Sequence, residues 1–160
     1  MKAVMTRALT LIAALIVLVS VNGSIFAKER IKTHGKRIYL ELAPVDPRSL
    51  MQGDYLALRF QISQNLSSTA SGSAALKIDE RGVATVDPQP TPASPRIRYR
   101  VRNGGVWIGT NAYFFEEGTA ERYAGAQYGE FRLDLESGEA VLVGLRDKDL
   151  TALGAAPPLP

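Results

Sequence analysis

The 160-residue chain contains no cysteine, a single histidine (His34) and a single tryptophan (Trp107). Without cysteine there is no disulfide bracing, no thiol nucleophile and no thiolate metal site, and the fold is indifferent to redox conditions. His34 sits just after an apolar N-terminal segment and has no serine partner, so a serine–histidine pair has no base. Lysine is equally sparse where a serine–lysine peptidase would need it. Lys77 is the only lysine between Lys36 and Lys148, and Ser49 and the loop serines Ser67 and Ser68 lack a nucleophile's surroundings. A strong charge of one sign is also missing: the net charge is +3, and from Lys28 onward 17 basic residues face 16 acidic ones. Residues 28–102 carry 13 basic and 7 acidic groups, whereas residues 116–149 carry 4 and 9. Opposite signs in two halves of one small domain most simply attract each other, so nucleic-acid binding is not expected.

What is present begins with Ala8–Ala27, an uncharged run that follows Lys2 and Arg7. As a helix its 20 residues would extend about 30 Å, the thickness of a bilayer core. Its length suits a retained anchor. The polar break at Ser20, Asn22, Gly23 and Ser24 suits a cleaved signal peptide ending near Ala27. The expected organisation is a cytoplasmic tail over 1–7, a transmembrane anchor or signal peptide over 8–27 and a juxtamembrane linker over 28–36. An extracytoplasmic β-rich domain over 37–153 and a flexible proline-rich tail over 154–160 complete it. Lys28, Arg30, Lys32, Lys36 and Arg37 outnumber Lys2 and Arg7, which nominally favours a cytoplasmic domain. The short N-terminal tail and the size of the domain favour export.

Beyond the run, period-two alternation predominates. Ile38, Leu40 and Leu42 share one face. Leu56, Leu58, Phe60 and Ile62 share another, opposite Tyr55, Ala57, Arg59 and Gln61. Leu76–Ile78 and Val83–Val86 read as a hairpin around Asp79–Gly82. Ile97, Tyr99 and Val101 alternate with Arg96, Arg98, Arg100 and Arg102, and Phe131, Leu133 and Leu135 alternate with Glu130, Arg132, Asp134 and Glu136. Val106–Ile108, Ala112–Phe115 and Val141–Leu145 supply further short strands. Short helical turns are expected over Thr119–Gln127, capped by Thr119, and over Asp147–Leu153. The fold class is therefore all-β with minor α, an antiparallel β-sandwich or partly open barrel after one N-terminal transmembrane helix.

Pro44 to Phe60 is the most distinctive stretch. Pro47 fixes its own φ and biases Asp46 towards an extended conformation, from which its carboxylate can cap the following turn. Arg48 can clamp Asp46 or Asp54, Gly53 permits positive φ or a close approach, and Tyr55 opens a strand with its hydroxyl in water. Asp46-Pro47-Arg48 and Gly53-Asp54-Tyr55, with Leu58 and Phe60, resemble the GDYXXLXY protein family. So does a second block, Tyr113-Phe114-Phe115-Glu116-Glu117-Gly118-Thr119, followed by Tyr123 and by Gly138-Glu139-Ala140. The resemblance covers roughly Ile38–Leu150 and departs at Phe60, where the family has Tyr. It implies a small bacterial protein with one N-terminal membrane segment and an extracytoplasmic β-rich domain. It implies no activity.

These readings lead to a non-enzymatic, membrane-anchored domain of the bacterial inner membrane that faces the periplasm and binds another inner-membrane protein. No catalytic residue, cofactor, metal or small-molecule ligand is assigned. Asp46, Pro47, Arg48, Gly53, Asp54, Tyr55, Leu58 and Phe60 would brace a corner or form one rim of a binding surface. Phe114, Glu116, Glu117 and Gly118 would form the facing rim, which also leaves open a hydrolase with paired carboxylates or a calcium site. Arg96, Arg98, Arg100 and Arg102 would pair with the Glu130–Glu136 face, or, left unpaired, bind lipid, lipopolysaccharide or peptidoglycan anions.

Overall fold

The uncharged run is part of a single 33-residue helix, α1 (Lys2–His34), in a computed structural model describing residues 2–43, 51–52 and 55–154. For residues 2–5, 8, 51 and 52 the description covers backbone only. Over its apolar length α1 is exposed on all sides, and it is long and apolar enough to cross a membrane. Ser20 and Ser24 return their hydroxyls to the carbonyls of Ile16 and Ser20, and Asn22 donates to Leu18, so the polar break satisfies itself within the helix.

Residues 28–34, expected as a linker, are instead the last two turns of α1, and they pack on the β domain. Ile31 is buried, and the helix ends where the Gly35 amide donates to the Ile31 carbonyl at 2.8 Å. Only glycine fits at that junction. A Cβ on Gly35 would lie 2.5 Å from the Ile31 oxygen and 3.0 Å from the Arg132 Cβ.

The strands that follow are β1 (Lys36–Glu41), β2 (Met51–Gln52), β3 (Tyr55–Ala57), β4 (Gly72–Ile78), β5 (Ala84–Val86) and β6 (Arg96–Arg102). They continue with β7 (Gly105–Trp107), β8 (Ala112–Phe114), β9 (Tyr128–Leu133) and β10 (Ala140–Arg146). They form three antiparallel sheets in the orders β1-β9-β10, β2-β3-β8 and β5-β4-β6-β7. Isolated bridges join the sheets, Leu42 to Phe60 and Tyr39 to Val83, so that they curl partway around one core. Ile38, Leu40, Leu76, Ile97, Ile108, Phe131, Leu133 and Leu145 are its most deeply buried side chains. The antiparallel β class with one apolar N-terminal helix is as expected.

The predicted hairpin is β4–β5, with Leu76, Lys77 and Ile78 opposite Val86, Thr85 and Ala84. The predicted strand Tyr55–Ile62 keeps its inward face, with Leu56, Leu58, Phe60 and Ile62 all buried, but not its length. β3 stops at Ala57. The chain then changes partners, Leu58 donating to Asn111 and Phe60 bridging Leu42, before a 3₁₀ turn over Gln61–Asn65. Thr119 precedes a 3₁₀ turn, Ala120–Tyr123, but does not cap it, because its hydroxyl donates backward to the Glu116 carbonyl. Residues 147–153 form no helix. The Asp147 carboxylate accepts from the Asp149 and Thr151 amides, and Leu153 donates back to Leu145.

The expected pairing of the two charged ladders does not occur. β6 lies between β4 and β7, whereas β9 is the centre of its own sheet, between β1 and β10. Glu130 is consequently buried, not exposed. β9 has strands on both edges, its inner face is on the core, and α1 packs against the sheet.

Candidate functional site

The site residues fall in two regions. Remote from α1, β3 and β8 align Tyr55 with Phe114, and their rings lie 5.8 Å apart. Phe114 is 75% exposed, the most exposed large apolar side chain among the described residues of the domain. Behind it, Tyr123 packs on Tyr113 at 5.4 Å and stacks on Phe115 at 5.3 Å. Burial, then a hydrogen bond with Tyr123, pushes the Tyr113 phenol pKa above its ordinary value. This aromatic group packs on the other face of β8, and the ring partner of Phe114 is Tyr55. Glu116, Glu117 and Gly118 are exposed on a turn closed by Thr119, whose amide donates to the Glu116 carbonyl.

Leu58 and Phe60 belong to the core and not to a surface. Phe60 meets Phe131 edge-on at 5.1 Å, an apolar setting that does not call for the hydroxyl of the family's tyrosine. Asp46, Pro47, Arg48, Gly53 and Asp54 lie outside the described residues. The two expected rims therefore reduce to Tyr55 on one side and Phe114 with its following turn on the other. Among the described residues no three acidic or histidine side chains converge as metal ligands.

The second region lies where α1 meets the sheets. Lys28 Nζ donates to Glu139 Oε2 at 2.6 Å, and Arg98 Nη1 stands 3.9 Å from Glu139 Oε1. Lys28, Arg98, Arg100, Arg102 and Trp107 line one cleft of about 300 Å³, with the Arg102 guanidinium 5.6 Å above the Trp107 ring. β6 presents its arginines outward because Ile97 and Tyr99 hold the opposite face in the core. The hydrogen bond from Lys28, aided by the Arg98 and Arg100 charges, holds the Glu139 carboxyl below its ordinary range against a smaller opposing effect of burial. One carboxylate thus stands among four cations. The arginine row was evident in the sequence, but the part Lys28 plays in it was not, since a linker lysine has no defined neighbours.

The depressed Glu139 pKa has a testable sign. A carboxylate whose pKa is lower when folded adds stability above its unfolded value, near 4.5, and that contribution is lost as pH falls through the folded value. The thermal midpoint of the wild type should therefore exceed that of Lys28→Ala at neutral pH. The two should converge as pH drops below about 4.5. A gap that persists at low pH would show that the lysine acts through packing alone.

A third feature was not anticipated. The Glu130 carboxylate accepts from Arg146 Nε at 2.7 Å and also from Arg146 Nη2, while Arg37 Nε lies 3.4 Å and Arg132 Nη2 3.9 Å away. Three arginines from three adjacent strands share one buried acid. Each occupies a polar position of its strand, and only the strand order shows that these positions meet.

Together these features define a class: an antiparallel β domain carried without a break on one helix long and apolar enough to cross a membrane. Residues 17–145 match the GDYXXLXY protein family, and the chain belongs to it. The match takes in the second half of α1, strands β1 to β9 and β10 as far as Leu145. No curated protein and no solved structure matches the chain.

Proposed function

We propose that this is a non-enzymatic, single-pass protein of the bacterial inner membrane whose β domain lies in the periplasm and binds another inner-membrane protein. The observation that carries the reading is the unbroken passage of α1 into the domain. With Ile31 buried and Gly35 closing the joint, the domain has no slack tether and stays at the bilayer surface. What it meets there is whatever else that membrane holds. The Tyr55–Phe114 surface offers the contact, because an exposed aromatic set against a neighbouring ring is a preformed anchor for a partner's pocket. Glu116 and Glu117 both stand exposed, where neither is desolvated as a general acid requires, so their placement does not favour a paired-carboxylate hydrolase.

A photo-crosslinking residue at position 114, used in intact membranes, should yield one discrete adduct with an integral membrane protein. The same group at Lys77, exposed on β4, should not. Phe114→Ala should leave the thermal midpoint unchanged, its stability effect staying within about 0.5 kcal/mol. The same substitution should abolish capture from a probe at Glu116. A diffuse smear from position 114, or capture indifferent to Phe114→Ala, would overturn the partner reading.

A further inference from the structure

We propose that the cleft between α1 and β6 is a binding site for the phosphate of an anionic phospholipid in the leaflet where α1 leaves the bilayer. Its chemistry and its height both point there. Lys28 is the first charge after the uncharged run Ala8–Ala27, so it marks the edge of the hydrocarbon. Its ammonium is 2.6 Å from Glu139, whose other oxygen is 3.9 Å from Arg98. The arginine row therefore begins one carboxylate's width from the hydrocarbon boundary, in the headgroup layer.

Within the cleft four cations face a single acid, leaving an excess of positive charge. Among the described residues no acidic side chain lies within ion-pair distance of Arg100 or Arg102. Guanidinium groups two residues apart on one strand face can each give parallel N–H bonds to a phosphodiester, which a lone lysine cannot. Trp107, under Arg102, is the residue type that favours the bilayer interface. A volume of about 300 Å³ accepts a headgroup while the acyl chains remain in the membrane. A soluble phosphate would meet the same groups, but only a lipid is held at this depth.

The test uses Trp107, the sole tryptophan of the chain, as its reporter. The full chain is reconstituted in nanodiscs of phosphatidylcholine, with or without a third of the lipid as phosphatidylglycerol. Quenching of Trp107 is then measured with a headgroup-labelled quencher on either lipid. The labelled anionic lipid should quench more strongly at equal mole fraction, and inorganic phosphate should not displace it. Arg100→Gln, which breaks no ion pair among the described residues, should lower the preference about fivefold. Arg98→Gln/Arg100→Gln/Arg102→Gln should abolish it, whereas Lys77→Gln should retain it. Equal quenching by the two lipids, or a preference unchanged in both arginine variants, overturns the proposal. Displacement by inorganic phosphate overturns the lipid in favour of a free anion. A chain that fails to enter the discs overturns the membrane anchor on which this inference rests.

Discussion

Glu130→Ala should lower the stability of the domain by about 3–5 kcal/mol, the cost of leaving buried charges without their partner. Glu130 is 4% exposed, and the Arg146 guanidinium that grips it has about a fifth of its side chain in water. Removing the acid strands Arg146 between β9 and the turn after β10, where only the Leu150 carbonyl at 3.4 Å remains to it. Arg37 and Arg132 lose their shared counter-charge at the same time, and three cations are left within one face of a three-stranded sheet. Glu130→Gln should cost less, since its carbonyl oxygen still accepts from Arg146. Urea unfolding of the full chain in detergent gives the measurement, read as a lower midpoint at constant slope. A loss under about 1 kcal/mol would mean that water replaces the carboxylate and that the acid is not the hub its contacts make it.

Phe131→Ala should be as damaging, by about 3–5 kcal/mol, for the opposite reason. The ring is fully buried, opposite Ile38 on β1 and Leu142 on β10, and edge-on to Phe60. Its neighbour Gly129 leaves room for this packing: a Cβ there would lie 2.8 Å from the Phe60 ring and 3.1 Å from that of Phe131. Truncation opens a cavity at the joint between two sheets, which cannot close without moving the Leu42–Phe60 bridge. Phe131→Leu should recover most of the loss. If the alanine variant unfolds at nearly the wild-type urea concentration, the Phe60–Phe131 contact does not bind the sheets together.

Glu130 and Phe131 are adjacent and both buried, yet only the burial of Phe131 could be read from the sequence. Alternation assigns Phe131 and Leu133 to the core face because apolar side chains at period two have one place to go. It assigns Glu130 to the other face, correctly, but exposure of that face depends on what covers the sheet. Here the cover comes from Arg37, Arg132 and Arg146, which reach the carboxylate from three strands. The same limit explains the arginine row. Its alternation showed one cationic face of β6, while its neighbours depended on a strand order that no local pattern encodes. The break after Ala57 was hidden because the inward positions keep their alternation even as the strand changes partners. Phe114 was legible as part of an aromatic block. Its exposure was not, since Tyr113, Phe114 and Phe115 differ only in which side of a short edge strand they take.

The fused joint at Gly35 has a consequence of phase. Because the last turns of α1 are part of the domain, the helix fixes the compass bearing of the domain as well as its height. Each residue between the end of the uncharged run and Ile31 turns the domain by about 100° and lifts it about 1.5 Å. Phe114 and the arginine row therefore point in set directions around the axis of α1. A rotation of α1 about its own axis would sweep both through the same angle, making the helix an axle and not a rope.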